Sequence, residues 1–231
     1  MTRYDFTTQP NRLDQNTMKW HEAESNPELL ELWVADMDFL PVPEIRDAVI
    51  NYAETHIFGY PYPSEELYQS IINWEKNQHG YVVDKESIVL IEGVVPAIST
   101  AIQAFTKEGD AVLINTPVYP PFARSVRLNN RRLIENSLVK VNGHFEIDFE
   151  QLERDIVEND VKLYVFCSPH NPGGRVWTKE ELTKVADLCQ KHGVLLVSDE
   201  IHQDLALYGN KHISMNTISD AYKDFTLVLS S

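Results

Sequence analysis

The chain is poor in cysteine and in cations, and it has no long apolar run. Its two cysteines, Cys167 and Cys189, stand alone in 231 residues with no metal-ligand or redox spacing. That excludes a disulfide scaffold and fits reduced thiols in a cytoplasmic protein. Lys and Arg number 20 against 35 Asp and Glu, a formal net charge of −15. Nucleic acid and anionic membranes both require a basic face, so neither is expected as a partner. Any phosphate bound here must be held by local dipoles rather than by the overall field. No stretch approaches the ~20 apolar residues of a membrane span. The opening MTRYDFTTQPNRLDQ lacks a basic-then-apolar leader. There is no internal repeat and no low-complexity tract. What is present is an apolar share of 43%, enough for a substantial core.

Apolar runs alternate with helical patterns. Residues 1–30 are polar and without period, and are expected to wander over a surface. Leu32–Ala35 reads as a short strand, followed by Asp36-Met37-Asp38 and a helix opening near Glu44, with Ile45, Val49 and Tyr52 on one face. Gly59 and the prolines at 61 and 63 make a stiff loop. Ser64 is an N-cap for a helix carrying Leu67, Ile71 and Trp74, stopped by Gly80. Strands are expected at Ser87–Ile91, Ala111–Asn115, Arg132–Val139, Leu163–Cys167, Val194–Val197 and Phe225–Leu229. Helices between them begin after Gly93, after the TPVYPPF loop, and at the capping-box pairs Asp148/Gln151 and Thr178/Glu181. This alternation predicts an α/β fold, a three-layer sandwich with a mostly parallel sheet and helices on both faces. The chain stops on its last strand, and the sheet is therefore expected to be incomplete at the C-terminus.

The stretch from Val161 to Tyr208 organises the rest. Two buried strands end in Ser168-Pro169-His170-Asn171 and in Ser198-Asp199-Glu200. In an open α/β sheet, ligands sit in the crevice at the carboxyl ends of the strands. Asn171 and Asp199, 28 residues apart, should face one pocket from neighbouring strand ends. Each candidate has an ordinary reading beside the functional one. Gly93-Val94-Val95 is a plain strand–helix turn or a phosphate cradle of backbone N–H groups at a helix N-terminus. Tyr119 is a packed loop tyrosine or an aromatic face over a planar ligand. Asn171 is a turn residue or a hydrogen-bonder to a ligand. Asp199 is half of a structural ion pair or the partner of a protonated ring nitrogen, because a buried carboxylate needs a cation. His202 is a structural histidine or a further donor at the same rim. The acidic run 150–160 reads as a solvated helix face.

In order and spacing, the Gly93 turn, the Tyr119 loop, SPHNPGG with Asn171 and SDE with Asp199 resemble the aspartate-aminotransferase superfamily of pyridoxal-phosphate enzymes, fold type I. More narrowly, LWVADMDF (32–39), FGYPYP (58–63), TPVYPPF (116–122) and SDEIHQDL (198–205) resemble the MalY/PatB-type C–S lyases, also called cystathionine β-lyases. Aminotransferases of this superfamily typically carry tyrosine at the position of His202, so the DEIH form favours the lyase branch.

The resemblance implies a cofactor, pyridoxal 5'-phosphate, and a role for each matching residue. Val94 and Val95 would give N–H groups to its phosphate, with Ser231 a further phosphate contact. Tyr119 would stack on the ring and meet the substrate. Asn171 would bond the phenolic oxygen, Asp199 would pair with the ring nitrogen, and His202 would bond at the rim. Tyr60 would reach the phosphate of a partner subunit's cofactor in a homodimer with shared sites, and Ala35 would lie near the substrate carboxylate. Residues 1–50 would contribute to a small domain and 51–231 would form the cofactor-binding large domain. The Schiff-base lysine of the Ser-x-x-Lys pattern would fall three residues beyond Ser231, so no catalytic residue is expected within the chain; Lys223 precedes the last strand and is no substitute. The implied reaction is α,β-elimination from an L-cysteine S-conjugate, giving thiol, pyruvate and ammonia. An aminotransferase, or a non-catalytic protein-binding regulator on the same fold, is the alternative.

Overall fold

The computed structural model describes residues 4–13, 15–26 and 28–231. They fall into two compact units, 1–62 and 63–231, each considered separately. The break comes after the first helix, α1 (Pro43–Thr55), which runs without interruption past residue 50. Among the described residues no helix is long and apolar enough to cross a membrane.

The smaller unit contains α1, opened by Pro43 in its first turn. The described residues of the first thirty do not simply wander. Arg12 donates to Asp38 Oδ1 at 2.9 Å and to Asp36 Oδ2 at 2.7 Å, and Lys19 Nζ donates to Asp38 Oδ2 at 2.8 Å. Two cations from the first twenty residues thus clamp the Asp36–Asp38 loop, and the Lys19 side chain is buried in doing so. The strand expected at Leu32–Ala35 does not form. Leu32 and Trp33 are exposed, and a strand without a ladder partner leaves its backbone groups to water.

The larger unit is a five-stranded sheet in the order β2-β1-β5-β6-β7, every pair parallel. The strands are β1 (Ala111–Thr116), β2 (Arg132–Ser137), β5 (Val161–Cys167), β6 (Leu195–Asp199) and β7 (Thr226–Leu229). Side-chain alternation along them builds two core layers. Val112, Ile114, Leu163, Val165, Cys167 and Val197 meet Ile98 and Ile102 of α3 (Val94–Phe105) and Phe122 and Val126 of α4 (Pro121–Leu128). The alternate set, Leu113, Tyr164, Phe166 and Leu196, meets Leu152 and Ile156 of α5 (Phe149–Glu158) and Leu182, Val185 and Cys189 of α6 (Lys179–His192). This is the expected three-layer α/β sandwich: β1, β5 and β6 are buried on both faces, with helices on each side of the sheet.

Two expectations fail here. Ser87–Ile91 is not a strand: a 3-10 turn at Lys85–Ser87 leads into extended chain that pairs with nothing described, and Val89 is 84% exposed. The run Arg132–Val139 is two strands, not one. It breaks at Leu138, whose N–H donates to Thr116 O at 2.8 Å. Beyond the break, β3 (Val139–Val141) forms a hairpin with β4 (His144–Glu146). Asn142 and Gly143 turn that hairpin with φ of 49° and 86°, the left-handed pair of a type I′ turn.

Of the two capping pairs, Thr178/Glu181 is a full box. Thr178 Oγ1 accepts from Glu181 N at 3.2 Å, and Glu181 Oε2 accepts from Thr178 N at 2.8 Å. Asp148 caps Gln151 N at 3.0 Å, but the Gln151 side chain donates instead to Asp155 Oδ1. Thr178→Ala removes the hydroxyl that accepts from the Glu181 N–H in the first turn. It is expected to lower stability by about 1 kcal/mol, read as a lower urea midpoint with unchanged slope.

Candidate active site

The sheet order reverses direction between β1 and β5: β2 lies to one side of β1, while β6 and β7 follow on the other side of β5. At such a switch point the loops leaving two neighbouring strands diverge and open a crevice. The loop after β1 carries Tyr119, and the loop after β5 carries Asn171. They are stitched together by two bonds. Tyr119 N donates to Asn171 O at 3.1 Å, and His170 Nε2 lies 2.8 Å from Pro117 O. Tyr119 is 41% exposed and Asn171 half-buried. Sequence reasoning passed over His170, because a histidine in a turn gives no signal of the carbonyl it will meet. Gly173 is required beside it: a Cβ there would come within 2.7 Å of the His170 ring.

Asp199 is the last residue of β6, in register with Cys167 at the end of β5. The two strands are neighbours, as expected, and Ser168 N donates to Asp199 O at 2.9 Å. Along β6, Asp199 shares the face of Val197, the side on which α3 packs. It is 3% exposed. Its Oδ1 accepts from Ile201 N at 3.1 Å, and among the described residues no cation pairs with it. Burial therefore raises its pKa to about 6, opposed by the Ile201 N–H and helped by the neighbouring Glu200 carboxylate. Cys167, facing it across the ladder, is pushed up to about 12 by burial and is an unreactive thiol. His202, three residues past Asp199, is half-buried, and burial lowers its pKa.

Helix α3 begins at Gly93, whose φ of 120° and ψ of 161° no L side chain adopts readily. The first bond into the helix runs from Ala97 N to Gly93 O at 3.1 Å. Pro96 has no N–H, so Val94 and Val95 are left as first-turn donors, and no side chain caps them. Ser231 is exposed just past β7. Tyr60 and Ala35 lie in the smaller unit and are exposed. A cleft of about 480 Å³ lies at the outer edge of β7, lined by Val89, Ile91, Thr100 and Val228 among others; it includes none of Val95, Tyr119, Asn171 or Asp199.

The donor set fits a flat, phosphorylated, protonatable ring. Among the described residues a buried carboxylate lacks a cation and two backbone N–H groups at a helix start have no side-chain cap, and an aromatic side chain is exposed on the loop after β1. The buried charge has a consequence without any ligand. An acid whose folded pKa exceeds its unfolded value of 3.8 binds its proton more tightly in the folded state. Stability therefore falls as pH rises from about 4 to about 6, and the loss is complete above that window. Asp199→Asn is expected to melt at a higher temperature than the parent near pH 7.5 and at the same temperature near pH 4, in scans without added ligand.

The model of the family described as aminotransferase class I and II matches residues 27–231. Cystathionine beta-lyase PatB of Bacillus subtilis is 40% identical over 230 residues, 98% of this chain and 59% of its own length. Cystalysin of Treponema denticola, whose crystal structure contains a pyridoxal 5'-phosphate cofactor, superposes with a TM-score of 0.93 at 38% identity, over 99% of this chain and 59% of that one. The PLP-bound C-S lyase of Staphylococcus hominis does so with a TM-score of 0.92 at 30% identity, over 99% and 59%. The chain thus spans somewhat under two thirds of the length of these relatives. On its matched residues, the chain belongs to the aminotransferase class I and II family of fold type I, and it is similar to the C–S lyases just named.

Proposed function

We propose that the whole protein is a pyridoxal-phosphate-dependent carbon–sulfur lyase. Its reaction is α,β-elimination from L-cysteine S-conjugates such as cystathionine, releasing a thiol, pyruvate and ammonia. The observation that carries the cofactor assignment is Asp199, a buried carboxylate at a strand end with no cation beside it among the described residues; the lyase reaction is carried by the similarity to the C–S lyases named above. When bound, the cofactor supplies an electron sink for the charge left at the substrate Cα.

The chain's own residues hold and polarise it. Asp199 accepts the ring-nitrogen N–H; the positive charge lowers the acid's pKa again and keeps that proton on the ring. The Asn171 amide donates to the phenolic oxygen, and His202 bonds at the same rim. Tyr119 covers the ring and meets the substrate. Val94 and Val95 donate N–H groups to the phosphate at the positive end of α3, with the Ser231 hydroxyl as a further donor. In a homodimer, Tyr60 reaches the phosphate in the partner's site. Ala35 lies by the substrate carboxylate, and the N-terminal segment contributes to a small domain. The general base is the lysine of the Ser-x-x-Lys pattern that begins at Ser231. The amino-acid substrate is a small molecule, and no nucleic acid or membrane takes part.

An aminotransferase would use every one of these cofactor contacts, so the discriminating test is chemical. With added pyridoxal phosphate, the whole protein should release pyruvate and thiol from L-cystathionine without an oxo-acid acceptor. Amino transfer to an oxo acid with the C–S bond intact would refute the lyase reading. In the same assay Asp199→Ala is expected to lower turnover by at least about 100-fold, the scale of losing a preorganised electrostatic contact.

A further inference from the structure

Helix α2 (Glu65–Trp74) does not end where its pattern ends. It widens into a π-turn, Glu75–His79, closed by Gly80 in the left-handed region. Such turns insert a residue and re-aim a side chain, and here the residue is Glu75. Its carboxylate is buried, at 6% exposure, where a surface helix ordinarily presents an apolar side chain. A buried carboxylate is costly unless its oxygens are answered by donors.

The donors come from two strand ends. Glu75 Oε1 accepts from Gln203 Nε2 at 2.8 Å and from Ser230 Oγ at 3.2 Å. Gln203 directly follows His202 in the loop after β6, and Ser230 directly follows β7 and precedes Ser231. The neighbouring Asp204 is held by the same turn: Trp74 Nε1 donates to its Oδ2 at 3.1 Å, and His79 Nε2 lies 2.8 Å from its Oδ1. The strands these segments leave are paired up to Asp199 and Leu229, and just past that ladder Glu200 N donates to Leu229 O at 2.8 Å. Glu75 Oε2 and Gln203 Oε1 are buried and accept no hydrogen bond from the described residues. A cluster kept solely for packing would gain by replacing both with apolar groups.

We propose that Glu75 is a positioning residue for the candidate active site. One oxygen of its side chain fixes the loop that carries His202 against the strand end that carries Ser231. It thereby sets the distance between the group at the cofactor ring and the group at its phosphate. The proposal rests on the cofactor assignment made above, and it goes beyond it, since Glu75 touches none of the groups assigned to cofactor or substrate.

The test uses the whole protein with pyridoxal phosphate bound. Glu75→Ala is expected to lower kcat on L-cystathionine by about 10-fold or more with KM changed less than about threefold, and to alter the visible circular dichroism of the bound cofactor. Glu75→Gln retains an acceptor at the Oε1 position and is expected to restore both to near the parent values. Ser230→Ala, which removes one hydroxyl, should shift the dichroism in the same direction as Glu75→Ala, and the double variant should be no worse than the single one. If Glu75→Ala does not fold, Ser230→Ala decides alone. A dichroism and kcat equal to the parent's in Ser230→Ala, or in a folded Glu75→Ala, overturn the proposal while leaving the cofactor assignment intact. A parent protein that binds no pyridoxal phosphate removes both.

Discussion

The site depends on a carboxylate held at the end of a fully buried strand. Asp199 closes β6 in register with Cys167 of β5, and the parallel ladder gives it no freedom to turn toward water. An acid in that position is stable only when neutral or when something positive is brought to it. Among the described residues, the donor brought to its side chain is the backbone N–H of Ile201. Everything around the residue is arranged to keep it there. Ser198 and Glu200, its neighbours in sequence, are buried too, and Glu200 is fully answered: Ser198 Oγ and Met215 N donate to Oε1 at 2.9 Å each, and His212 Nε2 sits 2.9 Å from Oε2. Two adjacent acids are thus treated in opposite ways. Glu200 is saturated and structural, and Asp199 is left with capacity to bind.

The fold supplies the rest through topology. Because the strand order reverses between β1 and β5, the Tyr119 and Asn171 loops leave the sheet side by side. They are then locked by the Tyr119–Asn171 backbone bond and by His170 on Pro117 O. Helix α3 packs on the face that Asp199 shares, so its uncapped start and the acid belong to the same side of the sheet. A ring and a phosphate on one small molecule require this combination: a charge partner on a strand and N–H donors on a helix, both fixed by the same core.

Much of this was legible in the sequence, and the limits have physical causes. The runs LYVFC and VLIN announce doubly buried strands because no polar residue interrupts them, and the Thr178/Glu181 pair announces a helix start because its chemistry is local. Leu32–Ala35 and Ser87–Ile91 carry the same apolar signature yet form no strand, since a strand requires a partner that local sequence does not report. The β3–β4 hairpin was overlooked although Asn142-Gly143 is the strongest short hairpin signal; the apolar run before it drew the reading toward one long strand. Asp199 could be chosen from its place after VLLVS, but its lack of a cation could not, because that is a fact about what does not fold against it. Glu75 was invisible, since a charged residue at the end of an amphipathic helix reads as solvated until a π-turn swings it inward.

Function and stability are opposed at Asp199, and the opposition has a direction. Burial favours the protonated acid, so near neutral pH the folded chain carries an ionised group that its own core disfavours. A ligand that presents a cation to this carboxylate relieves that disfavour and adds its contact energy as well, so binding and folding are linked at one atom. A neutral ring of the same shape would gain the stacking and the phosphate contacts but leave the acid unanswered. The site therefore selects for charge on the ring as well as for its outline. That selection comes from the desolvation of a single side chain, which the parallel register of β5 and β6 imposes before any ligand arrives.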